Sequence, residues 1–295
     1  MRTSLALLLA LLALAQGCTV PQAPGVGFSV SDYGVLSYPS NRGGVDYTKG
    51  LSESGTGYNS YRISYASAGN LTIYGLLREV GNEKASIVLL PGAGRTKEQE
   101  QELAAVLAEM GYTTLSLDQR GEGESIARAE TFDQQYARFL RGGEVFEYQR
   151  VYDALRAYDL LVQLGAEKVL FMGESMGGRY AIMAAALEPD SLGALGIATS
   201  GYGFGQMADA NSTRFARSID PDTYVGLIAP RKLVMLHSPS DPVIPLSAAR
   251  STFLKAHEPR SFVEVDCTDA QGNGLHGWCE DMNEMLEGEL EKMVG

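Results

Sequence analysis

The chain is short of cysteine, histidine and positive charge. Three cysteines in 295 residues are too few for a disulfide framework to stand in for a hydrophobic core. The three histidines fall into no His/Cys/carboxylate spacing that would hold a metal. Lysine and arginine number 24 against 36 acids, a formal net charge of −12, and they form no run. A phosphate backbone or an anionic lipid surface needs clustered positive charge, so neither nucleic acid nor a membrane held by a basic face is an expected partner. The acids are dispersed and read as a solvated surface. No apolar stretch reaches the ~20 residues of a spanning helix, and there is no fixed-period repeat or sustained heptad.

What is present suits one globular domain. A chain that is 45% hydrophobic can bury a substantial core. Residues 1–17 carry Arg2, an apolar core over 5–15 and then Gln16-Gly17 before Cys18, which reads as an export signal. Ala13-Leu14-Ala15 offers a cleavage site of the A-x-A kind. The alternative is a lipoprotein signal with lipidation at Cys18; its fit is imperfect, with Ala15 where Leu is usual and Gln16 where a small residue is usual, but cysteine parity favours it. Residues 18–58, rich in Gly, Ser, Pro and Tyr, read as a tether or loosely packed arm. The domain is then 59–295.

Residues 61–66 and 71–80 predict an antiparallel hairpin. Strand–helix alternation follows, with strands over 85–90, 112–117, 169–172, 192–198, 232–236 and 262–265. Helices are expected after Thr96, over 145–164, after Ser175, over 247–257 and over 281–293. Thr96 and Gln99 form a capping box, and Leu103, Val106, Leu107 and Met110 the buried stripe behind it. Residues 126–143 and 201–229 read as long connections with short helices. The fold class is α/β: a mostly parallel sheet opened by the hairpin, with helices on both faces.

The stretch that organises the rest is Gly173-Glu174-Ser175-Met176-Gly177-Gly178, between an apolar strand and an Ala-rich helix. Such a turn lifts the serine hydroxyl onto the carboxyl edge of the sheet at a helix N-terminus, and the glycines remove side chains that would collide. A serine hydroxyl needs a base to take its proton and a third group to orient that base. Of the histidines, His257 reads as solvated and His237 as structural. His276, in a glycine-rich loop after the last strand, remains as the base. Asp241 follows a strand onto the same edge and gives the order Ser, Asp, His; Asp266 is its rival. Asp209, Asp220 and Asp222 read as caps or turns. The backbone N–H groups of Met176 and of Ala93, in Pro91-Gly92-Ala93-Gly94, are the expected donors to a developing oxyanion.

With Asp118-Gln119-Arg120-Gly121-Glu122-Gly123-Glu124-Ser125, Ser240-Asp241-Pro242-Val243-Ile244-Pro245 and His276-Gly277, these motifs resemble the α/β-hydrolase superfamily of serine hydrolases from about residue 61 to 293. The Asp118 segment is similar to that of lysophospholipase-like esterases, and the compact length to dienelactone-hydrolase-type members. Pro91 departs from the His common at the oxyanion turn, and Ser238-Pro239-Ser240 from the usual glycine approach to the acid, which blurs the subfamily. The resemblance implies a hydrolase of small-molecule carboxylic esters, with no cofactor expected; residues 126–143 and 201–229, the connections long enough to cover the site, hold no long amphipathic helix pair, so short to medium acyl chains are expected. A peptidase or amidase on the same residues, or a non-catalytic envelope binding protein, stays open. Tyr202, Phe204, Met207 and Phe215 are candidate pocket walls. Cys267 and Cys279 bracket the His276 loop and, in an exported protein, are expected to form a disulfide.

Overall fold

The computed structural model describes residues 27–295. The expected export signal and the expected lipidation at Cys18 fall outside the described residues.

The central sheet has nine strands. In chain order they follow a two-stranded antiparallel pair, β1 (Ser29–Val30) and β2 (Leu36–Ser37), and are β3 (Tyr47–Gly55), β4 (Tyr58–Ala66), β5 (Thr72–Val80), β6 (Ala85–Leu90), β7 (Tyr112–Leu117), β8 (Val169–Glu174), β9 (Gly193–Ile197), β10 (Lys232–His237) and β11 (Arg260–Glu264). Their spatial order is β11-β10-β9-β8-β6-β7-β5-β4-β3. From β7 to β11 every pairing is parallel, while β3, β4 and β5 join antiparallel. β6, β7, β8 and β9 are buried along their whole length, as parallel strands covered on both faces must be.

Among the described residues seven α-helices accompany the sheet: α1 (Gln101–Glu109), α2 (Phe132–Leu140), α3 (Phe146–Gln163), α4 (Met176–Leu187), α5 (Ala210–Ile219), α6 (Leu246–Phe253) and α7 (Asn283–Val294). One apolar cluster joins the sheet to α3 and α4 through residues such as Val151, Leu155, Ala181 and Ile182. A second joins the opposite face to α1 and α7 through Leu103, Leu107, Leu286 and Leu290. The sheet is therefore covered on both sides, as the alternation predicts.

Two expectations are corrected. The described part of the 18–58 arm is packed structure: Leu36 and Val45 are buried in the main core, and residues 47–55 form β3 on the open edge of the sheet. The reason lies in β4, which has β5 on one side and pairs β3 on the other. The 201–229 connection holds a full helix, α5, ahead of the three-ten turns Pro221–Thr223 and Val225–Leu227. Asp209 caps α5, its carboxylate accepting the N–H groups of Asn211 and Ser212, so this acid is a cap as expected.

Candidate active site

Parallel strands deliver their C-terminal ends to one edge, and the predicted residues gather there. β8 ends at Glu174 and α4 begins at Met176, leaving Ser175 alone at the corner with φ +50° and ψ −116°, a conformation that costs a non-glycine residue about 1–3 kcal/mol. The surroundings hold it there. Its N–H donates to the Ile197 carbonyl at 2.9 Å, and its own carbonyl accepts the Thr199 hydroxyl at 2.7 Å. The turn is packed so closely that a Cβ on Gly177 would collide with the Leu90 and Pro91 carbonyls, and one on Gly173 with the backbone of Gly177. Those collisions are the physical content of Gly-x-Ser-x-Gly here.

Asp241 lies in the loop after β10. Its carboxylate is buried, accepts the Val243 and Ile244 N–H groups at 2.8 and 2.9 Å, and faces His276 Nδ1 at 2.8 and 3.0 Å. An ionised carboxylate accepts only, so His276 Nδ1 carries the donated proton and Nε2 is left bare to accept another. Asp266, the rival acid, is exposed and takes the Ser240 hydroxyl instead. His237 is buried, with Nε2 on the Ile244 carbonyl at 2.9 Å, so it braces the Asp241 loop. Burial keeps its imidazole neutral, its pKa pushed below the ordinary value. His257 is exposed.

Ser175 and His276 are both half-buried, and no hydrogen bond joins the two among the described residues. Hydrogen bonds between a candidate nucleophile and its base are often long before substrate binds. The His276 loop does meet the serine turn one residue away on each side: a Cβ on Gly277 would stand 2.6 Å from Glu174 Oε2.

The Pro91–Gly94 turn packs on the same corner, with the Cβ position of Gly92 3.6 Å from Ser175 Cβ. The N–H groups of Ala93 and Met176 donate to no protein acceptor among the described residues, so both stay free for a ligand oxygen. The Asp118–Ser125 segment is the brace for this turn. Gln119 donates to the Pro91 carbonyl, Asp118 takes the Lys97 ammonium at 2.7 Å and the Lys97 N–H at 2.9 Å, and Arg120 pairs with Asp153 at 2.8 and 2.9 Å. These pairings are internal, and Gln119 ties the segment to the Pro91–Gly94 turn.

Cys267 and Cys279 stand with their Cα atoms 6.0 Å apart in disulfide geometry, within the range such a bond requires. Among the candidate walls, Tyr202 is exposed and Phe204 and Met207 are half-buried, whereas Phe215 is fully buried among Phe132, Tyr136 and Phe139. Phe215 is therefore a packing residue under α2 and not a wall.

Several charged groups near the corner escaped the sequence reading. Arg150 on α3 reaches Met176 Sδ and the Tyr180 hydroxyl, both at 3.1 Å. Glu174 and Glu100 are buried carboxyls; burial first, and then the Glu174 charge, pushes Glu100 up to about 7, and burial raises Glu174 as well. Glu174 stood in the motif as a variable letter, and nothing in the pattern around Glu100 marks it as buried.

Residues 85–250, more than half of the chain, match the family described as alpha/beta hydrolase fold, and the chain belongs to that family. Its fold resembles an acetyl xylan esterase from Paenibacillus sp. R4 (TM-score 0.66, 17% identity, 86% of this chain and 90% of that one). It likewise resembles acetyl xylan esterase 1 from Thermoanaerobacterium sp. JW/SL YS485 (TM-score 0.64, 13% identity, 85% and 87%). At those identities the likeness is one of fold. In sequence the chain is 26% identical over 127 residues to 2,6-dihydropseudooxynicotine hydrolase of Paenarthrobacter nicotinovorans, matching 40% of this chain but only 29% of that protein. The chain spans less than a third of that curated relative's length. Among the described residues no cluster of three or more His, Cys, Asp or Glu side chains could hold a metal, and no helix is long and apolar enough to cross a membrane.

Proposed function

We propose that the chain is a serine hydrolase that cleaves carboxylic esters of short to medium acyl chain through an acyl-enzyme on Ser175. The observation that carries this reading is the buried Asp241 carboxylate on His276 Nδ1, on the edge where the strained Ser175 sits. Ser175 Oγ attacks the ester carbonyl carbon while His276 Nε2 takes the hydroxyl proton. The Ala93 and Met176 N–H groups receive the oxyanion, which costs no reorganisation because they are already free. Collapse breaks the ester bond, and the leaving alcohol takes the proton from His276. Water then repeats the sequence on the acyl-enzyme. Asp241 holds the ring in one tautomer throughout.

The preference for short chains rests on the cover of the site. The connections that hold α2 and α5 are the long ones, and each of these helices is short. Val243, two residues after Asp241, and Leu275, beside His276 in the chain, are exposed apolar residues that suit a shallow acyl site. Two further parts of the reading concern the chain's surroundings. Export, with lipidation at Cys18 as the anchor, would place it in the cell envelope; there the Cys267–Cys279 bond would form and staple the His276 loop, a contribution of about 3 kcal/mol by chain entropy. A p-nitrophenyl ester series from C2 to C16 on the purified protein, with aminoacyl-anilides alongside, tests the substrate class. Turnover should be highest at C2 to C8; faster C16 cleavage with activation at an oil interface, or a preference for the anilides, would contradict it.

A further inference from the structure

Glu174 is charge-bearing, buried and one bond from the nucleophile, yet none of the steps above uses it. It reaches the His276 loop. Its Oε2 stands 2.6 Å from where a Gly277 Cβ would be, and the Trp278 backbone N–H favours its ionised form. Gly277 has φ +102°, so at this residue both the backbone and the approach of the carboxylate call for glycine. The loop carrying the base is thereby fastened to the turn carrying the nucleophile through the residues adjoining each.

We propose that Glu174 is a positioning residue that holds His276 over Ser175, by receiving the Trp278 N–H and seating Gly277 against the nucleophile turn. The inference rests on the serine-hydrolase reading above. It accounts for a buried carboxyl that would otherwise be a plain cost, because such a group is tolerated only where its bonds are made. The groups around it fit the role. Arg95 stands nearby, binding Glu100 Oε1 at 2.9 Å and favouring the charged form of Glu174. The second oxygen of Glu100 is buried with no hydrogen-bond partner, and burial raises both carboxyls of the pair. A charged His276 favours the ionised form of Glu174.

A merely structural residue would alter folding and substrate binding alike; a positioning residue lowers kcat and spares KM. With p-nitrophenyl acetate, Glu174→Ala should lose about tenfold to a hundredfold in kcat, the scale of a small misplacement, with KM within about twofold. Glu174→Gln, which keeps an oxygen for the Trp278 N–H, should recover most of that loss. The proposal is overturned if Glu174→Ala keeps kcat within about threefold, or if Glu174→Gln falls as far as Glu174→Ala. Should Glu174→Ala not fold, Gly277→Ala reads the same contact from the other side: lowered kcat with KM kept supports it, and full kcat overturns it. Ser175→Ala runs in parallel. If Ser175→Ala is inactive while the Glu174 variants are unaffected, only the positioning role fails; activity persisting in Ser175→Ala sinks the serine mechanism itself.

Discussion

The serine corner and the histidine loop reach the same place by opposite means. The corner is fixed by crowding: Gly173, Gly177 and Gly178 are each packed against backbone or Thr199 with no room for a methyl group, and the strain at Ser175 is carried by the β8–α4 framework. The His276 loop spans Asp266 to Trp278; Gly274 and Gly277 press on Ser240 and Glu174, but its tip is open, with nothing near the Cβ position of Gly272. It is held by discrete ties. Asp269 takes the Gln271 and Asn273 N–H groups, Leu275 donates to the Cys267 carbonyl at 2.8 Å, Thr268 bridges Gly274, and Cys267 faces Cys279. A crowded element tolerates no change and needs no staple. A tied element tolerates many changes but loses its function when a tie is cut.

The largest effect expected is chemical and falls on both regions equally. Ser175→Ala and His276→Ala should each lower kcat on the order of 10⁶-fold and Asp241→Asn by about 10⁴-fold, since the three act as one unit. Matched circular dichroism and melting curves check that the fold is kept. The contrast between the regions comes next. Gly177→Ala should destabilise by more than about 3 kcal/mol or fail to fold, because the obstacle is backbone. Gly272→Ala, strained in φ but unobstructed, should cost about 1 kcal/mol. Urea unfolding of the pair measures it, and equal losses would erase the distinction between crowded and tied regions.

Cutting a tie should show in both stability and rate. Cys279→Ser, or reduction of the native protein, should remove about 2–3 kcal/mol and lower kcat severalfold; mass spectrometry after alkylation without reductant reports whether the bond exists, and two free thiols would refute it. The smallest effect concerns the carboxyl pair under the corner. Glu100 sits near 7 in the folded chain, above its value when unfolded, so between the two values the folded state holds the extra proton. The stability it contributes is present at pH 5 and is lost as pH rises through about 7. Glu100→Gln should therefore raise stability at pH 8 relative to pH 5 by on the order of 1 kcal/mol, read from melting temperatures at the two pH values.

Legibility in the sequence followed the same division. The crowded parts announce themselves, because buried strands and close approaches restrict residue type: β6 and β7 lie where the apolar runs put them, at Ala85–Leu90 and Tyr112–Leu117, and the glycines around Ser175 are the motif. β3 left little signal, since eight of its nine residues are exposed and it carries Gly, Ser and Glu. α5 was hidden by a stretch of Asn, Ser and Thr with weak helix preference, and is made by its cap and its aromatic packing. Helix α6 stops at Phe253, short of the expected His257, with Pro259 following soon after. At the site, Ser175, His276 and Asp241 could be chosen by chain order and by the scarcity of histidine. Glu174, Glu100 and Arg95 could not, because their roles depend on which loops meet, and loop meetings leave no period in the sequence.

The account turns on one claim, that Ser175 is a nucleophile activated by His276. Intact-mass analysis of the purified protein after exposure to a fluorophosphonate measures this most directly. The prediction is a single adduct mapped to Ser175, absent in Ser175→Ala and formed far more slowly in His276→Ala. An unmodified wild-type protein, or an adduct that persists in Ser175→Ala, would contradict it.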